Sequence, residues 1–96
     1  MLKVVEVVAK KTVFNGLFKF EEGVTYPVRN SRDGSKIMIR DAHGVWVTIK
    51  NRHQLQVDVF TRMGMLMDDL FDTKETTFVK NWDEMNIFLN RESQTV

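Results

Sequence analysis

Residues 30–50, NSRDGSKIMIRDAHGVWVTIK, concentrate the side chains of this 96-residue chain that could hold a charged ligand. The stretch combines cations with a Trp and a His, and its alternating apolar residues predict a β-hairpin. Cations neutralise phosphates, and an exposed Trp offers a face on which a nucleobase stacks. Two interpretations follow. The hairpin is a platform for nucleic acid, or it is an ordinary solvated hairpin whose Trp packs under a C-terminal helix.

The predicted hairpin gathers these groups on one outer face. Two tight-turn signals, Asp33-Gly34 and residues 41–44, bound its first strand. Alternation predicts that the outward side chains are Lys36, Met38, Arg40, Trp46 and Thr48. RNA, with unstacked bases, suits such a face better than duplex DNA does. The candidate nucleic-acid-binding residues are Arg29, Arg32, Lys36, Arg40, Trp46, Lys50 and Arg52.

The residue types give little indication of a metal site or of a hydrolytic active site. The only histidines are His43, in a predicted turn, and His53, between predicted strands, and the chain has no Cys. A metal site needs three or four convergent ligands, which neither histidine has nearby. No serine lies in a nucleophile turn, and no phosphate-binding glycine loop occurs. We therefore expect a protein that is not an enzyme and that needs no metal or cofactor.

Charge is unevenly distributed along the chain, although the net charge is only +1. Residues 1–53 hold ten Lys and Arg against five Asp and Glu, whereas residues 54–96 hold four against eight. This asymmetry predicts a bipolar surface that steers an anionic partner to one side. Alternatively, the two halves attract each other and support the fold.

Local patterns predict strands in the first two thirds of the chain. Residues 2–9 read as a strand with a bulge or with burial on both faces. Asn15-Gly16 and Glu22-Gly23 are turn signals, and Pro27 favours an edge or irregular strand over residues 24–28. Three further strands form a meander up to residue 60. The predicted inward residues are Val5, Val7, Val24, Ile37, Ile39, Val45, Val47, Ile49, Leu55, Val57 and Val59.

The last third of the chain predicts helices around one short strand. Apolar residues from Met63 to Phe71 recur at helical spacing, with Thr61 as a possible N-cap. Residues 75–80, ETTFVK, favour a short strand. Asn81 and Glu84 have the spacing of a capping box that opens a last helix. The three aspartates 68, 69 and 72 are expected on a solvated helix face.

The rhythm of residues 23–49, with GVTYPV, IMIRD, a Gly turn and VWVTI, resembles that of small SH3-like barrels. The resemblance implies an α+β domain in which a bent antiparallel barrel over residues 1–60 precedes a helical appendix over residues 61–92. The style of the chain is also similar to that of small bacteriophage accessory proteins. That similarity implies a single-domain factor that acts on host machinery in the cytoplasm.

A second function class remains open beside polyanion binding. The Met-rich helix or the acidic C-terminal half could bind or inhibit a host protein, because Met side chains adapt to irregular partner surfaces. An edge strand at residues 2–9 or 24–28 would allow a homodimer. No apolar run approaches the roughly 20 residues of a membrane span, and the absence of Cys fits a cytoplasmic protein.

Overall fold

The computed structural model describes residues 1–53 and 59–93, with side chains as far as residue 90. The fold is α+β, with an antiparallel sheet, short helices and a longer C-terminal helix. The elements are β1 (Leu2–Ala9), β2 (Val13–Phe14), β3 (Lys19–Phe20), β4 (Thr25–Asn30), β5 (Lys36–Arg40), β6 (Trp46–Asn51), α1 (Val59–Arg62), α2 (Met67–Leu70), β7 (Phe71–Val79) and α3 (Trp82–Ser93).

The main sheet has five strands in the order β6-β5-β4-β1-β7, and β2 and β3 form a separate hairpin. The sheet is not closed into a barrel, so the expected barrel over residues 1–60 is wrong. The reason lies in β7, whose nine residues pair with β1 from Leu2 to Ala9 and occupy the side on which a barrel would close. Residues 71–79, expected within a helical appendix, therefore belong to the sheet.

The expected edge strands are interior, because β1 lies between β4 and β7, and β4 lies between β5 and β1. Among the described strands the edges are β6 and β7. Pro27 is tolerated in β4 because pairing with β5 begins at Val28, so no ladder bond to β5 is lost at Pro27. The register of β1 against β7 shifts between Glu6 and Val7, but the extra residue there is Lys74 of β7, so the bulge expected in residues 2–9 lies in the neighbouring strand.

Two apolar layers cover the two faces of the sheet. We call the face beneath α3 the α3 face, and the face beneath β2, β3, α1 and α2 the hairpin face. Alternation in β1 supplies both layers: Val4 packs with Met85 and Leu89 of α3, whereas Val7 and Ala9 belong to the opposite core. A strand buried on both faces therefore explains the imperfect alternation of residues 2–9.

An aromatic cluster forms the core of the hairpin face. The ring of Phe20 lies 5.0 Å from Tyr26 and 5.2 Å from Phe71, both at near-perpendicular angles. Phe18 and Phe60 complete the cluster, each with a ring centroid about 6 Å or less from that of Phe20. Such edge-to-face pairs stabilise beyond the area that they bury. The sequence prediction omitted these rings because they come from five separate parts of the chain, the β2–β3 turn, β3, β4, α1 and β7, which only the tertiary fold brings together.

The predicted inward residues are only partly confirmed. Val7, Ile39 and Ile49 are buried, and Val5, Val47 and Val59 are half-buried against the core of the hairpin face. The prediction is wrong for Val24, Ile37 and Val45, which are exposed because they lie at strand ends, beyond the layer that covers the sheet. Leu55 and Val57 lie outside the described residues.

The single helix expected from Met63 to Phe71 is wrong. Helix α1 ends at Arg62, Gly64 takes a φ of 78°, and α2 is confined to Met67–Leu70. Thr61 lies inside α1 and does not cap it. The helix over residues 82–92 is confirmed by α3, and no helix in the described part of the chain is long and apolar enough to cross a membrane.

Candidate nucleic-acid interface

The outer face of the β5–β6 hairpin lies beneath α3. Arg40 is the register partner of Trp46, and Arg29 is the partner of both Val4 and Met38, so these side chains share the α3 face. Trp46 is half-buried and packs against the cluster that contains Met85 of α3. Of the two interpretations of Trp46, the structure shows the one in which it packs under the C-terminal helix.

Arg29 is held between the two indoles of the chain. Its guanidinium carbon lies 4.4 Å from the centroid of the Trp46 ring and 5.2 Å from that of Trp82. Its Nε is buried without a hydrogen-bond partner, while Nη1 donates to the carbonyl of Asn30 at 3.2 Å. Burial, reinforced by two neighbouring arginines, lowers the pKa of Arg29 below its ordinary value. Arg29 is therefore a packing residue more than a free cation.

Arg40 also joins the sheet to α3. Its Nη2 donates to the carbonyl of Leu89 at 3.3 Å, and its guanidinium carbon lies 5.7 Å from the Trp46 ring centroid. This contact ties β5 to α3 and favours the observed docking of the helix. Of the seven candidates, Arg29, Arg40 and Trp46 thus have structural partners, and the guanidinium carbon of Arg32 also lies 5.2 Å from the centroid of the Trp82 ring.

The other four candidates lie at one end of the sheet. The antiparallel order brings the starts of β1 and β5 to the same end as the finishes of β4, β6 and β7. We call this the basic end and define it by its exposed cations, Lys3, Arg32, Lys36, Lys50 and Arg52. Within the described residues none of these five forms an ion pair. They are available to an anionic ligand.

The turn between β4 and β5 holds the backbone from which several of these cations project. One oxygen of Asp33 accepts from the backbone N of Ser35 at 2.9 Å and from the hydroxyls of Ser31 and Ser35 at 2.7 and 2.6 Å. These bonds, with help from the charge of Arg52, lower the pKa of Asp33 below its ordinary range. The backbone N of Arg52 donates to the carbonyl of Ser35 at 2.8 Å, which ties β6 to the same turn.

The opposite end of the sheet is acidic. Its carboxylates come from the loop between β3 and β4, the turn after β5, helix α2 and the start of β7: Glu21, Glu22, Asp41, Asp68, Asp69 and Asp72. Two lysines there are paired, Lys10 with Asp72 at 3.3 Å and Lys19 with Glu21 at 3.1 Å, whereas the exposed Lys11 forms no ion pair among the described residues. The sequence predicted that positive charge lies in the first half of the chain and negative charge in the second. In the structure the two charges are instead separated along the strand direction, at opposite ends of the sheet.

A row of exposed side chains crosses the hairpin face beside the basic end. Phe78 is the register partner of Lys3, and Ile37 is the partner of both Asn30 and Lys50. Val4 pairs with Arg29, so the next positions, Lys3 and Asn30, are neighbours as well. We call Phe78, Lys3, Asn30, Ile37 and Lys50 the open row. All five are exposed, Phe78 at 57%.

The open row adjoins a cleft of about 490 Å³ at the basic end. Val5 and Val28 contribute apolar walls, and Lys3 and Arg32 contribute charge. Sequence reasoning missed Lys3 and Phe78 as site residues. The available signal was the alternation of ETTFVK, in which Phe78 faces opposite to Thr77 and Val79, but the pairing of β7 with β1 could not be read from it.

The two histidines are exposed turn residues. The backbone N of His43 donates to Asp41 at 3.0 Å, and that of His53 donates to Asn51 at 3.0 Å. No cluster of three or more metal-ligating side chains occurs in the part of the chain that the structure describes.

Comparison of the chain with protein-family models, curated proteins and solved structures found no significant match. The resemblance to SH3-like barrels therefore rests on the strand and turn rhythm of residues 23–49 alone. A function must be inferred from the charges and exposed groups described above.

Proposed function

We propose that this protein is a non-enzymatic binding module that holds RNA or another polyanion at the basic end of its sheet. One observation carries the proposal: five exposed cations from β1, the β4–β5 turn, β5, β6 and its following turn converge there without ion pairs among the described residues. Anionic polymers bind such clusters because each neutralised phosphate releases a counterion.

The fixed turn geometry supports this proposal. Cations on a rigid turn lose less conformational freedom when a ligand binds than cations on a flexible tail do. The acidic opposite end would also orient the molecule as an anionic polymer approaches. The proposal places the protein in the cytoplasm, in the host cell if the chain is viral, where RNA is abundant.

A pair of double variants tests the proposal. Lys36→Gln/Arg52→Gln removes two cations from the basic end, and Lys11→Gln/Lys74→Gln removes two exposed cations elsewhere. The probes are a labelled mixed-sequence single-stranded RNA and heparin, titrated at two salt concentrations. The first variant should weaken binding to both probes and lower the salt dependence by about two phosphate contacts. The second should bind like the wild type. Equal loss in both variants would reject the basic end as the site.

The alternative function is protein interaction through the Met-rich segment or the acidic half. Most of that segment is core, since Leu70 is buried and Met65 and Met67 pack against the aromatic cluster. Met63 and Leu66 remain exposed, and the amide of Asn15 contacts the sulfur of Met63 at 3.7 Å. Leu66→Ser would impair such an interaction and leave the binding of heparin and RNA unchanged.

A further inference from the structure

Phe78 is an exposed aromatic residue in a cationic setting. It lies on the edge strand β7 and is the register partner of Lys3 in β1. The Cβ atoms of opposed residues on neighbouring strands are about 5 Å apart, so the side chains of Phe78 and Lys3 leave the sheet side by side. The ring of an exposed Phe forms no hydrogen bonds with water, and any nucleobase can stack on its π-face.

The open row is a line of side chains along which an extended ligand can bind. It crosses five strands, which span about 19 Å at the usual strand spacing. Lys3 and Lys50 supply charge within the row, Asn30 supplies hydrogen-bonding groups, and Ile37, 43% exposed, supplies an apolar surface. Side chains stand roughly perpendicular to a sheet, so these groups all face the same way.

This surface suits a single strand better than a duplex. Bases in a duplex are stacked internally, and their edges are reached by an element that enters a groove. The open row lies on the face of a sheet. A base can lie on Phe78 only if it is free of its own stack, as in single-stranded RNA or DNA.

We infer that the ligand of the basic end is a single-stranded nucleic acid, one base of which stacks on Phe78 while separate phosphates along the strand contact Lys3 and Lys50. The inference rests on the proposed polyanion binding and adds the class of ligand and the residue that recognises its bases. RNA and single-stranded DNA share this chemistry, so both are used as probes.

The chain offers a matched control for Phe78. Phe14 is equally an exposed phenylalanine, at 69%, but it pairs with Lys19, whose ammonium group is held by Glu21. Phe78→Leu and Phe14→Leu each replace an exposed ring with an aliphatic side chain. Circular dichroism and the unfolding midpoint show whether each variant keeps its fold.

The full chain and both variants are titrated with RNA and DNA single strands of about 10 nucleotides, with a duplex and with heparin. We expect Phe78→Leu to lower affinity for both single strands about tenfold, a usual loss for one base–aromatic stack. Affinity for heparin, which has no bases, should stay within about twofold of the wild type. Phe14→Leu should leave all four affinities unchanged.

The outcomes separate this inference from the proposed function. Wild-type binding of heparin and RNA that is unaffected by Phe78→Leu would overturn the inference and leave polyanion binding intact. Failure of the wild type to bind any probe would overturn both. If Phe78→Leu unfolds, ultraviolet cross-linking of the wild-type protein to RNA tests the inference instead. A cross-link within residues 75–80 would support the inference. Cross-links that all lie outside residues 75–80 would reject it.

Discussion

The guanidinium carbon of Arg29 lies 4.4 Å from the centroid of the Trp46 ring, beneath α3. Trp82, the first residue of α3, is 5.2 Å from the same carbon. The arginine thus joins β4, β6 and α3 through its planar group. Stacking on aromatic faces is a use to which arginine is better suited than lysine.

The first prediction concerns what Arg29 contributes to stability. Arg29→Met keeps an unbranched apolar stem, although a shorter one, and removes a half-buried charge whose Nε has no partner, which offsets the lost cation–π attraction. We expect the free energy of unfolding to change by less than about 1 kcal/mol. Arg29→Ala should lose about 2 kcal/mol, because it leaves a gap between two rings. Urea denaturation followed by Trp fluorescence measures both values, and equal losses would show that the charge itself stabilises.

The second prediction concerns the pH dependence given by Asp33. Hydrogen bonds from Ser35 and Ser31 lower its pKa from the ordinary 3.8. A group whose pKa is lowered by folding stabilises the protein above its ordinary pKa, and this contribution is lost as the pH falls through the lowered value. The stability difference between the wild type and Asp33→Asn should therefore be largest above about pH 4 and shrink below it.

Urea midpoints between neutral pH and about pH 2 test this dependence. Asp69→Asn is the control, because that exposed carboxylate accepts no hydrogen bond among the described residues. A difference for Asp33→Asn that stays constant with pH would mean that the Asp33 turn is held by its shape and not by its charge.

The third prediction concerns the break between α1 and α2. Gly64 has a φ of 78°, and a Cβ added there would meet nothing within 4 Å. The left-handed backbone alone should make Gly64→Ala cost about 1 kcal/mol. Gly16→Ala is the matched control, since its surroundings are equally open and its φ is not positive. Thermal denaturation should therefore give a lower unfolding midpoint for Gly64→Ala than for Gly16→Ala. Equal midpoints would mean that the segment between α1 and α2 accommodates Ala without backbone strain.

The fourth prediction concerns the start of α3. The backbone N of Glu84 donates to Asn81 Oδ1 at 2.9 Å, and Glu84 Oε2 accepts from the backbone N of Lys80 at 2.9 Å. Asn81→Ala should therefore lower the free energy of unfolding by about 1 kcal/mol. Asn86→Ala, at an exposed position within α3, should raise it slightly, because Ala is the better helix former. If Asn81→Ala left the free energy of unfolding unchanged, the docking of α3 on the sheet would not depend on its N-terminal cap.

The features that the sequence predicts well are local. The turns at Asn15-Gly16, Glu22-Gly23 and Asp33-Gly34 are confirmed, with positive φ at Gly23 and Gly34 and with Asn15 Oδ1 accepting from two backbone N–H groups. The capping signal of α3 is confirmed for the same reason. Each depends on residues within about four positions of one another.

The features that it predicts poorly depend on distant partners. Alternation in β5 and β6 divides their residues between two faces, but it does not say that α3 covers the face of Trp46. Likewise, ETTFVK predicts a strand without naming β1 as its neighbour. The cations of the site were therefore predicted as a group. Tertiary packing decides which of these cations have no structural partner, and it also brings Phe78 beside them.

The interior position of β1 in the sheet has a consequence for synthesis. Leu2 pairs with Val79, so the sheet is complete only after residue 79 has left the ribosome. Contacts of such long sequence separation slow folding, whereas β4, β5 and β6 can assemble early from their own short turns. Until β7 emerges, one hydrogen-bonding edge of β1 stays open to other chains. The nascent protein therefore carries its greatest risk of misassembly in its first eight-residue strand.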